Sequence, residues 1–420
     1  MGEDWMKRYR KRMIALFLSL TLAGLMSMNG LASSSVASDG PGTDDGQGEL
    51  RGIWISYLEW EKLPIEQSSF QKEVDKMLDN CASYGMNAVF VQVRSNSDAM
   101  YPSKYFPWSK FAGGTQGTNP GYDPFGYFVK AAHKRDLQIH AWVNPYRVTG
   151  YLNRWGDIAE SNPAKVWLTD SDTSNDRWVL KHNGEYYYNP SVPQVRELIV
   201  NGVKEIVSKY DVDGIHFDDS FYPTVNDGRA DLSFDKTEYE ASGSRMTISN
   251  WRRNNVNQLI RSVYSAVKDA DSDLVFGVSP EGYIADLESN IRLFVDIKTW
   301  MSRSGYVDYI MPQIYWGFEA KTTDGKAAAY AFEQNLADWI ELQRKGDAKL
   351  YLGLAMYKTA TDAKDNNSVS EWLRYNNIMQ RQVESGRRNK EVSGFCFYSY
   401  NSFLRNEAQT EVNNLKKVLK

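Results

Sequence analysis

Eight short apolar, β-branched runs, each followed by a stretch of helical periodicity, constrain this chain more than any other feature. The runs fall at 52–58, 87–93, 138–144, 213–218, 274–279, 307–315, 350–357 and 393–400. Several are almost continuously apolar, which suits parallel strands covered on both faces. Helical periods follow at 70–84, 125–135, 193–210, 251–268, 291–302, 326–344, 370–385 and 407–419. Eight β-then-α units of this length close into a single (β/α)8 TIM barrel of the α/β class. They use up residues 51–420, so a separate second domain does not fit. Two connections are long, 146–192 after strand three and 220–250 after strand four. Both leave C-terminal strand ends, where barrel active sites sit and long loops build a cleft.

The N-terminus reads as a targeting segment. Lys7, Arg8, Arg10, Lys11 and Arg12 precede an apolar run at 13–28, and small residues offer cleavage after Ala32 or Ala37. This is the pattern of a secretory signal peptide over 1–37, with an uncleaved anchor as the alternative. Residues 38–50 are rich in Gly and Asp and read as a disordered linker. Residues 1–37 carry five basic and two acidic side chains, so the remainder has a net charge of −7 against −4 for the whole chain. That acidity argues against nucleic acid as a partner. A secreted or envelope-associated protein is expected.

The chain has 2 Cys and 4 His, which excludes zinc ribbons, cysteine-ligated clusters and a disulfide-stapled scaffold. Cys81 and Cys396 lie in apolar patterns and read as buried thiols; a disulfide between them stays open. His140 and His216 on adjacent strands could flank a cation with Asp218, but metal-dependent barrels show more ligands than this. A buried His bonded to a carboxylate is the preferred reading. The segment 226–231 lacks the spaced acids of a calcium loop. No metal or cofactor is expected.

Polar residues closing apolar strands point into the catalytic mouth. Strand two ends in Arg94, with Asp98 and Tyr101 after it; strand three gives His140, Asn144, Tyr146 and Arg147. Strand four gives His216, Asp218 and Asp219, then Tyr222. Strand five runs through Ser279 to Glu281, strand six gives Gln313, Tyr315 and Trp316, strand seven gives Tyr357, and strand eight gives Tyr398 and Tyr400. Within Asp213-Gly-Ile-His-Phe-Asp-Asp219, alternation turns His216 and Asp218 to one face and Ile215 and Phe217 to the other. Asp219 or Asp213 reads equally well as a cap. Asp218 and Glu281, with Asp219 as a third catalytic candidate, supply the carboxylate pair that glycoside hydrolysis needs. Asp98 is the reserve acid. Tyr146, Tyr222, Tyr315 and Trp316 suit stacking on sugar rings or simple packing.

Taken in order, these segments resemble one family. They are Arg51-Gly-Ile-Trp-Ile-Ser56, Gly85-Met-Asn-Ala-Val-Phe-Val-Gln-Val-Arg94, Asp98-Ala-Met-Tyr-Pro-Ser103, Gly121-Tyr-Asp-Pro-Phe125, His140-Ala-Trp-Val-Asn-Pro-Tyr-Arg147, Asn189-Pro190, Val212-Asp-Gly-Ile-His-Phe-Asp-Asp219, Phe221-Tyr-Pro223, Phe276-Gly-Val-Ser-Pro280 and Tyr309-Ile-Met-Pro-Gln-Ile-Tyr-Trp316. They resemble the glycosyl-hydrolase-like family 10 barrels across nearly all of 51–400. The resemblance implies a secreted or envelope-associated glycosidase, one relative of which cleaves peptidoglycan glycan stripped of its stem peptides. It implies Asp218 as a catalytic carboxylate, with Asp219, Arg94, Asn144, Arg147, Gln313 and Tyr315 around it. Relatives often carry Phe or Ala in place of Glu281, whereas Asp after strand four with Glu after strand five resembles amylase-type barrels.

The expected function is hydrolysis of a cell-wall polysaccharide. Arg94 and Arg147 would grip a substrate carboxylate such as the lactyl acid of N-acetylmuramic acid. Salt-bridging of the pair to Asp98 or Asp218 is the structural alternative. Rival functions are a non-catalytic glycan-binding barrel and a metal-dependent deacetylase or amidohydrolase. The residues specify no oligomeric state.

Overall fold

The computed structural model describes residues 48–218, 221–223, 233–290, 292–365 and 370–420. The predicted signal peptide, most of the linker, and Asp219 lie outside these residues. Eight parallel strands form the barrel wall: β1 (Leu50–Ile55), β2 (Ala88–Arg94), β3 (Gln138–Val143), β4 (Gly214–Phe217), β5 (Val275–Val278), β6 (Tyr309–Ile310 with Gln313–Ile314), β7 (Lys349–Leu354) and β8 (Val392–Phe397). Each pairs with the next, and β8 pairs back onto β1, which closes the sheet. The expected α/β TIM barrel is therefore the observed fold. Leu50 already lies in β1 and Glu49 salt-bridges Arg387, so the barrel begins slightly before the predicted boundary at 51. Pro312 has no N–H to give, and β6 is interrupted at Met311 and Pro312.

The main outer helices are α1 (Gln67–Ser83), α2 (Pro124–His133), α3 (Pro193–Lys209), α4 (Ile248–Ala270), α5 (Ile297–Ser302), α6 (Phe332–Gln343), α7 (Ile378–Arg387) and α8 (Gln409–Leu419). Their starts follow from side-chain chemistry. Glu66, Asp123 and Thr247 cap the first turns of α1, α2 and α4 with side-chain oxygens. Three predicted helices are shorter or broken. The 291–302 period forms a helix only from Ile297, and the 326–344 period starts at Phe332 because Ala328 N–H bonds back to Ala320 O in a turn. The 370–385 period splits into Glu371–Arg374 and α7, separated by Asn376 and Asn377, which favour turns over helix interiors. The long connection after β3 carries a helix (Pro163–Thr169) and an antiparallel hairpin (Val179–His182 with Glu185–Tyr188). Among the described residues no helix is long and apolar enough to cross a membrane.

The barrel lumen is filled rather than open. Large rings from one strand lie where another strand has glycine. A methyl group on Gly277 would meet the Tyr309 ring at 2.1 Å, one on Gly52 would meet Phe90 at 2.6 Å, one on Gly214 would meet His140 Nδ1 at 2.6 Å, and one on Gly353 would meet Trp54 at 2.9 Å. Such large-against-small packing brings the interior to native density. Cys396 is part of this lumen cluster, while Cys81 packs in the core outside the wall; both are buried free thiols.

His140 and His216 belong to the lumen, and burial holds both largely neutral. The His140 imidazole is pushed down to about 4, and His216 is lowered well below its ordinary value by burial and by His140. In the unfolded chain each protonates near 6.5. The unfolded state therefore binds more protons between pH 6.5 and 4, and stability is lost as pH falls through that window. The Asp98 and Glu411 carboxyls, raised by burial to about 6 and about 7, act in the opposite direction. The diagnostic is therefore a difference between proteins. Denaturant unfolding at pH 7.5 and pH 5 is expected to cost wild type about 2 kcal/mol more than His140→Gln. Equal pH dependence in the two proteins would refute the assignment.

Candidate active site

At the C-terminal ends of the strands lies a cavity of about 300 Å³ to which every strand contributes. Trp54 comes from β1 and Tyr57 from the short capped turn that follows it. Gln92 stands on β2, Trp142 on β3, Asn144 just beyond it and Arg147 three residues later. Asp218 follows β4, Ser279 follows β5, Gln313 and Tyr315 belong to β6 and its exit, and Tyr357 and Tyr398 follow β7 and β8.

The wall has two halves. One is aromatic: Tyr315, Tyr357 and Tyr398 contact each other at centroid distances of 5.7, 6.1 and 6.0 Å, and Trp54 lies 6.0 Å from Tyr398. Burial raises the Tyr357 hydroxyl to about 12, and Tyr398 is pushed up chiefly by burial, with Asp218 among the nearby charges. These hydroxyls stay protonated at neutral pH and can donate. The other half is polar. Gln92 Nε2 donates to Asn144 Oδ1 at 3.0 Å, and Gln92 Oε1 accepts from Tyr57 N–H at 2.9 Å. These bonds fix the Asn144 amide with its Nδ2 away from Gln92. Gln313 Nε2 donates to Ser279 O at 3.1 Å. The Arg147 backbone pairs antiparallel with Tyr187 of the hairpin, so the long connection after β3 anchors the main chain from which this cation enters the lining. Asp218 is 9% exposed and is the one carboxylate on this lining among the described residues.

Of the residues expected at the mouth, Asp218, Asn144, Arg147, Ser279, Gln313, Tyr315, Tyr357 and Tyr398 line the cavity. Glu281 stands further out. Alternation along β5 and its exit places Gly277, Ser279 and Glu281 on one face at rising height. The Glu281 backbone pairs with that of Gln313, and its carboxylate lies 3.5 Å from the Arg292 guanidinium, itself 2.6 Å from Asp286. Burial raises its carboxyl above the ordinary range, and Arg292 works against that.

Other expectations are corrected. Arg94 does not reach the cavity. The β2–β3 register slips between Gln92 and Arg94, and this bulge turns Arg94 out of the lumen. Its Nη2 donates to Pro145 O at 2.8 Å, and its guanidinium lies 4.3 Å from the Phe106 ring centroid. Asp98 is fully buried beside Gln116, whose Nε2 donates to it at 3.2 Å, and does not line the cavity. Tyr101 packs on Tyr210 and Phe125, and Tyr146 is buried behind the wall. Tyr222 packs against Phe234, Phe294 and the Arg252 guanidinium. Trp316 leans on Tyr330 at 5.3 Å, outside the cavity. His140 and His216 lie one layer below the floor, bonded to Tyr309 and Trp54 rather than to a carboxylate. Among the described residues, no three His, Cys, Asp or Glu side chains gather as metal ligands would.

Trp54, Tyr57, Gln92 and Trp142 were missed as site residues. Gln92 carried a signal, since it is the one amide within the apolar run 88–93 and shares the inward face of Phe90. The tryptophans carried none, because an inward Trp reads as core.

The fold and sequence have clear relatives. Solved structures with the same architecture include the catalytic domain of β-amylase from Paenibacillus polymyxa, with a TM-score of 0.57 at 10% identity over 88% of this chain and 97% of that one. Another is the glycoside hydrolase domain of PgaB (BpsB) from Bordetella bronchiseptica, with a TM-score of 0.53 at 14% identity over 88% and 99%. These show the fold. In sequence, the chain is 35% identical to glycosyl hydrolase YngK of Bacillus subtilis over 85% of its length and 69% of that protein. It is 31% identical to glycosyl hydrolase DigH of Escherichia coli K12 over 87% and 86%. The model of the family described as Glycosyl hydrolase-like 10 matches residues 49–372. With its barrel closed and its strand-end motifs gathered around one cavity, the chain belongs to the glycosyl hydrolase-like 10 family.

Proposed function

We propose that this protein is a secreted glycoside hydrolase acting on bacterial cell-wall glycan, namely peptidoglycan strands freed of their stem peptides. The observation that carries the reading is Asp218 on the lining of a strand-end cavity walled by tyrosine, tryptophan and fixed amides. At about 300 Å³ the cavity is at the small end of ligand sites, and suits one sugar residue. The glycosidic oxygen then sits at its mouth. Asp218 faces the anomeric carbon as nucleophile or base for water. Glu281, at the rim with its carboxyl raised by burial, suits the acid that protonates the leaving oxygen. Asp219, the third catalytic candidate, lies outside the described residues. With Arg94 off the lining, Arg147 is the one cation on it among the described residues, and it supplies the positive charge for the lactyl carboxylate that removal of the stem peptide exposes. The basic and apolar N-terminal segment supports export, by cleavage or as an anchor.

The test is reducing-end release from purified glycan, with mass spectrometry of the products. Denuded strands are expected to be cleaved at least about 10-fold faster than strands bearing stem peptides, the equivalent of one charged contact. Equal rates would refute the specificity. Tight binding without products would make the barrel a glycan-binding protein. Activity lost to a chelator and restored by a divalent ion would favour an amidohydrolase.

A further inference from the structure

We propose that His216, which does not line the cavity, sets the cavity's floor by holding the indole of Trp54, and that it is a positioning residue for glycan binding. The inference takes the cavity described above as the glycan site. Trp54 Nε1–H can only donate, and it lies 3.1 Å from His216 Nε2. That nitrogen must accept, so the proton of the neutral ring sits on Nδ1. Nδ1 is 3.0 Å from Tyr309 Oη, which accepts it. The Tyr309 hydroxyl hydrogen is then directed to His140 Nδ1, 3.4 Å away. Every member of this chain has one direction and one protonation state. It runs Trp54 to His216 to Tyr309 to His140, and His140 is itself stacked on Phe90 at 4.5 Å.

The packing makes this alignment selective for one indole pose. Gly353 leaves the space that the far edge of Trp54 occupies, and Gly277 leaves the space for Tyr309. Trp54 is 2% exposed and His216 is fully buried, so water does not compete for the bond. Trp54 is the only member of the chain that also lines the cavity. Buried hydrogen bonds fix orientation more than they add net energy. The effect of His216 should therefore appear in binding and leave the carboxylate chemistry at Asp218 unchanged.

Two variants separate positioning from bulk stability. Glutamine carries its amide near the place of imidazole Nε2, so His216→Gln keeps an acceptor for Trp54. Asparagine reaches only the place of Nδ1, so His216→Asn faces Tyr309 and leaves the indole without a partner. Three readouts apply: kcat and KM on denuded glycan, glycan affinity by calorimetry on an Asp218→Asn background, and the indole 15N–1H resonance of Trp54. His216→Asn is expected to raise KM and weaken affinity about 5- to 10-fold, the value of one hydrogen bond, with kcat within about 2-fold. The Trp54 resonance should lose its hydrogen-bonded shift. His216→Gln should restore all three. In a Trp54→Phe background, which has no indole N–H, His216→Asn should add nothing.

Equal losses in the Gln and Asn variants, a fall in kcat with KM unchanged, or a persistent effect in Trp54→Phe would each overturn the proposal. An unaltered Trp54 resonance in His216→Asn would also overturn it. If wild-type protein releases no reducing ends, the hydrolase reading falls. The Trp54 resonance and the calorimetry still decide the positioning role, and absence of any glycan affinity would overturn it too.

Discussion

Asp218→Asn is expected to lower kcat on denuded glycan by about 10³- to 10⁴-fold, the size usual for losing a general acid–base group or worse. Asparagine keeps the shape and polarity of the side chain but cannot attack carbon or take a proton. Asp218 follows β4 directly on the strongly buried run Gly214–Phe217, so its backbone stays fixed. Thermal unfolding of the variant should stay within a few degrees of wild type. KM should change little, because Arg147 and the tyrosine wall remain. Turnover within 10-fold of wild type would remove Asp218 from the chemistry. Glu281→Gln should behave differently if Glu281 is the leaving-group acid. Natural linkages should suffer far more than aryl glycosides, whose leaving groups need no proton.

The second large effect concerns stability. Asp235 and Arg252 are both fully buried, and the Arg252 Nε donates to Asp235 Oδ1 at 2.8 Å. The same guanidinium lies 4.9 Å from the Phe294 ring centroid and 5.7 Å from that of Tyr222. Tyr222 and Asp235 thus anchor the chain beyond β4 to α4 at two points. Asp235→Leu strands a buried cation and should cost about 3–5 kcal/mol in denaturant unfolding. The double change Asp235→Leu with Arg252→Met removes both charges and should cost markedly less than either single change. A double variant as unstable as the sum of the singles would show that the pair is not a self-contained ion pair.

How the residues encode this architecture differs between fold and site. Eight strands were legible because a parallel barrel strand is covered on both faces, and nearly continuous apolar runs such as 88–93 and 350–354 match that environment. The strand-end positions of Asp218, Asn144, Arg147, Gln313 and Tyr315 followed from chain direction. What alternation does not give is height. His140 and Asn144 share an inward face, yet His140 lies in the filled lumen and Asn144 on the cavity wall. His216 and Asp218 differ in the same way by a single step of two residues. Arg94 shows a second limit. One bulge residue reverses inward and outward, and nothing in Phe90-Val-Gln-Val-Arg94 marks it. Tyr101, Tyr146 and Tyr222 show a third, since a tyrosine near a strand end serves a loop's own packing as readily as a sugar.

The rings that fill the lumen rest against glycines, and this bears on how such a barrel can diverge. A single added carbon at Gly277 would displace Tyr309, and with it His216 and then Trp54. Inheritable change in the floor thus requires several coordinated substitutions, each harmful alone. The rim has no such restriction, because Arg147, Tyr357 and the hairpin behind β3 sit on connections that tolerate replacement. New sugar preferences in lineages of this barrel should accordingly arise at the mouth and in its loops, with the lumen passed on nearly unaltered.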